Sequence, residues 1–177
     1  MVTENIIQAV HQQLFADTEG QVFTVLDGAS IADLRLSLYR HRPEHECLYR
    51  GELAPDIAEV APYLVRLEPN AAFTQWVLTQ GWGQHWGIFA FASADLHTLR
   101  QHFRRFLTVY DPDGKPLLFR YYDPRVLRAY LPTCNGDELA TVFGPVTCYL
   151  LEEEQPNTIL RFRMLSGVLQ QEKRQIA

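Results

Sequence analysis

Several groups of side chains in this chain could do chemistry, and the most suggestive is His41, His45, Glu46 and Cys47. Two imidazoles four residues apart share a helix face and could hold zinc. Pro43 stands between them and interrupts that helix, so the segment reads as a surface loop. His97 and His102 are five apart, which splays them by about 140° on a helix of 3.6 residues per turn, too far to share one ion. Cys134 stands beside Asn135-Gly136 in a loop, and the chain has neither GxSxG nor a cysteine-protease context to activate a nucleophile. GWGQHWG, residues 81–87, fits neither GxGxxG nor GxxxxGK[ST], so no loop aims its N–H groups at a phosphate. Asp27, Asp111 and Asp113 read as turn residues. These residues therefore give no catalytic set, no metal set and no cofactor site.

The run LLFRYYDPRVLRAYLP, residues 117–132, is different. A strand ending near Tyr122 meets a helix that Asp123 caps and Pro124 opens, at the position where a missing N–H costs nothing. Val126, Leu127, Tyr130 and Leu131 give that helix its buried face. Arg120, Asp123 and Arg125 remain at the junction, where a carboxylate can accept forked guanidinium bonds. A structural ion pair that fixes the strand-to-helix angle is the main reading, and direct contact with a ligand is the alternative.

Hydrophobic periodicity supplies the elements that position this corner. Thr3 caps a helix in which Ile6, Ile7, Val10 and Leu14 share a face. Residues 21–26 form a strand that stops at Asp27-Gly28, and residues 30–39 a helix with Ile31, Leu34 and Leu38 inward. Short strands at 47–50 and 63–67 enclose a helical turn at 57–60. Residues 71–80 read as a helix ended by Gly81, and 86–91 as a nearly continuous apolar strand at the centre of a sheet. Ser93 caps a helix over 94–107 that turns Leu96, Leu99, Phe103 and Phe106 inward and Arg100, Arg104 and Arg105 to solvent.

Asp111-Pro112-Asp113-Gly114 has the pattern of a type I turn, so 108–110 and 117–122 pair as a hairpin. A helix near 137–143 precedes a second hairpin, 146–151 with 158–164, around EEEQPN. The expected fold is α/β: a single domain with a mixed β-sheet flanked by helices and antiparallel hairpins in the C-terminal third. Residues 1–166 form that domain, and 167–177 a polar tail, helical or frayed.

The chain of 177 residues is 47% hydrophobic, and a domain of this size removes about 70% of its unfolded surface from water. Its 21 acidic and 16 basic residues give a formal charge of -5, which argues against nonspecific nucleic-acid binding. Cys47, Cys134 and Cys148 are an odd set without CxxC spacing, and reduced thiols are expected. No apolar run approaches the roughly 20 residues of a membrane span, and the N-terminus lacks the pattern of a signal peptide. A cytoplasmic location, with no stable membrane insertion, follows as the expectation.

The corner sequence resembles the FRFYDPRVL-type signature of the bacterial type VI secretion effector adaptors, also called effector chaperones (Tap, TEC or VasW-like; domain of unknown function 4123). FTVLDGA (23–29), ECLYRGE (46–52), EVAPYLVRLE (59–68), WGIFAFAS (86–93), LRQHFRRFLTVYDPDGK (99–115) and FGPV (143–146) occur in that family's order, so the resemblance spans about residues 22–146. It implies a noncatalytic adaptor that binds the N-terminal region of a toxic effector, often beside a PAAR or transmembrane region, and loads it onto a VgrG spike. Many relatives carry a helical C-terminal lobe, whereas this sequence ends soon after its second hairpin. Partner-binding candidates are Tyr63, Trp82, Arg120, Tyr122 and Arg125, with Asp123 and Pro124 as the structural corner. Trp76, Trp82 and Trp86 cluster near glycines, and Trp82 reads equally as core or as a binding hot spot. An immunity protein that plugs a toxin domain, or an enzyme of unrecognised type, is the alternative.

Overall fold

The structure is a computed structural model, and residues 2–16 and 20–176 are described. Its centre is a seven-stranded sheet in the order β2-β3-β1-β4-β7-β8-β9. The strands are β1 (Gln21–Asp27), β2 (His45–Cys47), β3 (Pro62–Leu67), β4 (Gly87–Ala92), β7 (Val146–Glu152), β8 (Thr158–Leu165) and β9 (Val168–Gln175). β5 (Thr108–Tyr110) and β6 (Pro116–Leu118) form a separate two-stranded hairpin. Neighbours pair antiparallel throughout. The expected layout of helices around one sheet, with hairpins toward the C-terminus, is present, and the strand directions are more uniform than a mixed sheet implies. β1 enters between β3 and β4, with Val25 opposite both Leu64 and Ile88, so the first strand becomes a central one.

Helices cover both faces, which is why β1 is buried almost along its whole length. On one side α1 (Glu4–Phe15), α2 (Leu34–His41) and α4 (Ala72–Trp76) pack Ile7, Val10, Leu34 and Phe73 against Val22, Leu26 and Phe91. α4 continues into a π-helical turn, Val77–Gly81. On the other side α5 (Leu96–Arg104), α6 (Pro124–Tyr130) and α7 (Gly136–Phe143) pack Leu99, Phe103, Leu127 and Phe143 against Phe23, Val25, Ile88 and Tyr149. A short helix, α3 (Pro55–Val60), links β2 to β3.

Local chemistry sets the helix ends. Thr3 Oγ1 accepts from Ile6 N–H on α1, and Asn135 and Glu138 form a reciprocal capping box on α7. α5 starts two residues later than expected because Asp95, not Ser93, caps it, accepting from Thr98 N–H at 2.8 Å.

Two further expectations are corrected. The strand assigned to 117–122 stops at Leu118, because Tyr121, Tyr122 and Asp123 are buried in succession, which no period of two allows. The stretch assigned as a polar tail is β9, paired with β8 from Leu165↔Val168 to Thr158↔Gln175. Ser166 and Gly167 both have positive φ, 52° and 76°, so the hairpin turns through a two-residue loop that matches strand twist. Ile176 then buries its side chain and donates its N–H to Asn157 O. Ala177 lies outside the described residues.

Candidate functional site: the Asp27–Arg120 corner

Asp27 ends β1, and its side chain has a larger part than a turn residue needs. The buried carboxylate accepts from Ala29 N–H at 3.1 Å and Ser30 Oγ at 2.8 Å, and it forms an ion pair with Arg120, 93 residues away. Its own N–H donates to Trp86 O at 2.8 Å. Gly28 follows because a Cβ there would collide with the backbone carbonyls of Glu59 and Ala61. FTVLDGA, EVAPYLVRLE, WGIFAFAS and the Arg120 run thus meet at one place.

Arg120 pairs with Asp27 instead of sharing Asp123. Asp123 binds Arg125 alone, through a fork of Nε to Oδ1 at 3.0 Å and Nη2 to Oδ2 at 2.7 Å, while Oδ1 also accepts from Arg125 N–H as the cap of α6. Burial pushes the Asp123 carboxyl up, but the Arg125 bonds outweigh it and hold the group below its ordinary value. The bond to Asp27 raises Arg120 further above the guanidinium norm. Tyr122 is buried between these charges and Tyr49, and burial first, then Asp27, pushes its phenol far up.

Two further arginines, both on α5, fix the neighbouring segment. Arg104 donates to the carbonyls of Cys47 at 3.1 Å, Leu48 at 3.0 Å and Tyr49 at 2.7 Å, and Arg100 pairs with Glu46 at 2.9 Å. Of the three arginines expected to face solvent, only Arg105 is exposed; Arg100 and Arg104 are engaged. They hold ECLYRGE to the helix, and burial draws Arg104 below its usual pKa. In FGPV, Gly144 has φ 47°, and a Cβ there would lie 2.5 Å from the His102 ring. His102 is buried with Nε2 3.0 Å from Val142 O.

Tyr63 and Trp82, candidate anchors on condition of exposure, are 7% and 3% exposed. Tyr63 Oη donates to Ala58 O and Trp82 Nε1 to Pro156 O, so both are held as core residues with satisfied polar tips. Arg120 and Arg125 keep partial exposure at the corner, whereas Tyr122 and Pro124 are buried. Exposed apolar side chains lie elsewhere: Leu36 and Tyr39 on α2, Ile57 and Val60 on α3, four on the β5–β6 hairpin, and Leu165 and Val168 at the β8–β9 turn.

Glu152 was not singled out in the sequence. Buried at the end of β7, it accepts from Gly83 and His85 N–H groups and pairs with the His85 ring; burial raises its pKa against those bonds. An acidic residue closing an apolar strand was the available signal. His41 and His45 are exposed, and His45 Nδ1 lies 2.8 Å from Pro43 O. Among the described residues no group of three or more His, Cys, Asp or Glu is placed to hold a metal ion, all three cysteines are free, and no helix is long and apolar enough to cross a membrane.

The carboxylates at the corner are fully engaged as acceptors, an arrangement that locks segments together. Apart from FGPV, those segments lie within the stretch that matches a known family. Residues 22–141 match the family described as "Domain of unknown function (DUF4123)". The accessory protein VasW of Vibrio cholerae serotype O1 is 29% identical over 164 residues, covering 78% of this chain and 54% of that protein. The chain thus spans about half the length of the curated relative it matches. No solved structure matches. With more than half of its length matched in the order its segments suggested, the chain belongs to the DUF4123 family, the type VI secretion effector-adaptor family those segments resemble.

Proposed function

We propose that this protein is a noncatalytic cytoplasmic adaptor of type VI secretion, which binds the N-terminal region of one effector, keeps it soluble and delivers it to a VgrG spike. Family membership over residues 22–141 carries this reading. The geometry supports it in two ways. The charged residues of these segments are spent on holding β1, the 47–50 segment and α6 together, and apolar side chains stay exposed on α2, α3 and the β5–β6 hairpin. A chaperone needs such a rigid body with an apolar surface that can cover aggregation-prone segments. The effector region bound is a PAAR-bearing or transmembrane-flanking segment, and the adaptor needs no cofactor and no nucleic acid.

The test is co-purification with the products of neighbouring reading frames, followed by pull-down with the effector divided into an N-terminal fragment and a toxin domain. Capture of the N-terminal fragment is expected, through a total interface above about 1,000 Å². Deleting the adaptor should lower the level and secretion of that effector while other cargo is still fired. Capture of the toxin domain alone, with loss of its activity, would instead make the chain an immunity protein.

A further inference from the structure

The β5–β6 hairpin stands apart from the main sheet, and both of its strands are exposed. Val109, Tyr110, Leu117 and Leu118 are 39%, 70%, 44% and 56% exposed. A two-stranded hairpin is marginal in water without a third strand or a helix against it. Here both faces also carry apolar side chains: Val109 opposite Leu117 on one, Tyr110 opposite Pro116 and Leu118 opposite Thr108 on the other.

The two outer edges of this hairpin are not equivalent. Phe119 N–H donates to Leu107 O at 2.9 Å and Asp111 N–H to Lys115 O at 3.0 Å. By the alternation of an antiparallel pair, residues 107, 109 and 111 turn their backbone groups into the hairpin, while Thr108 and Tyr110 turn theirs outward. On β6 the outward positions are Pro116 and Leu118, and Pro116 has no N–H to give. β5 therefore offers a full set of donors and acceptors, and β6 does not.

The other free edges differ in chemistry. Beyond Val168-Leu169 at its turn end, β9 presents Gln170, Gln171, Glu172, Lys173 and Arg174, and β2 carries Glu46, so both edges hold charged side chains. β5, Thr108-Val109-Tyr110, has no charge.

The geometry points to the outer edge of β5 as a strand-addition site, at which an extended segment of the effector's N-terminal region adds as a third strand. Main-chain bonds to Thr108 and Tyr110 supply the pairing, and apolar residues at alternate positions of that segment cover the Val109–Leu117 face on one side and the Tyr110–Leu118 face on the other. The partner named here rests on the effector-binding reading above.

Calorimetric titration of the full chain with the N-terminal effector fragment tests it, using Tyr110→Pro. That substitution removes an outward donor and leaves the inward bonds of residues 109 and 111 in place. Binding at least tenfold weaker, with an unchanged thermal midpoint, is expected. Should Tyr110→Pro fail to fold, hydrogen exchange on the wild-type chain decides: the Thr108 and Tyr110 amides should slow at least tenfold on adding the fragment, and unchanged exchange overturns the site. Equal binding by a folded Tyr110→Pro protein overturns the site and leaves the adaptor reading intact. Capture of the toxin domain instead, or of neither fragment, overturns both. A chain that dimerises in sedimentation and loses the dimer on Tyr110→Pro assigns the edge to a second copy and overturns the effector segment.

Discussion

Replacing Asp123 by alanine removes the cap of α6 and leaves the Arg125 fork without its acceptor. A loss of about 1 kcal/mol or more in urea denaturation is expected. An unchanged midpoint with abolished partner binding would instead make the corner a direct contact. His102 sets a pH dependence. Burial holds its folded pKa below the ordinary value of about 6.5, so its contribution is complete above that pH and is lost as pH falls through the lower folded value. Stability measured between pH 8 and 5 should therefore decline on the acid side, and less steeply in His102→Gln. Of these two roles the sequence disclosed only the cap, since Asp123-Pro124 is local. Arg120 lies 93 residues from Asp27, and no spacing rule links them.

Among the elements, α5 does the least expected work. Arg104→Lys keeps the charge but cannot reach three successive carbonyls with a planar fork, so the 47–50 segment should loosen. A cost of about 1.5–3 kcal/mol is expected, with faster amide exchange at Leu48 and Tyr49. If exchange there is unchanged, the fork is dispensable. The inward residues Leu96, Leu99 and Phe103 were legible from helical period, and all are buried. The outward arginines carried no such signal, because period separates faces and does not say what meets them. β9 hid for a related reason: its exposed side chains are almost all polar, and only Ser166-Gly167 between Leu165 and Val168 marked the hairpin.

For the whole molecule, β9 is the closing strand of the sheet, and removing residues 168–176 would bare the β8 edge beside Leu160 and Phe162. Stability should fall by about 2 kcal/mol or more, which at this size is about 4–8 °C in Tm, with aggregation on heating. A truncated chain that melts unchanged would show the strand to be dispensable. Strand order was beyond the sequence, because antiparallel pairing of β1 with both β3 and β4 is settled by long-range contacts.

That order also has a consequence in time. β4 pairs on its far side with β7, so Phe89 and Phe91 wait for partners encoded after the whole of α5, the hairpin, α6 and α7. At about 5–20 residues per second, translation leaves that apolar edge open for roughly 3–12 s. During this interval the nascent chain carries an unpaired apolar strand edge, the kind of surface through which incomplete chains aggregate.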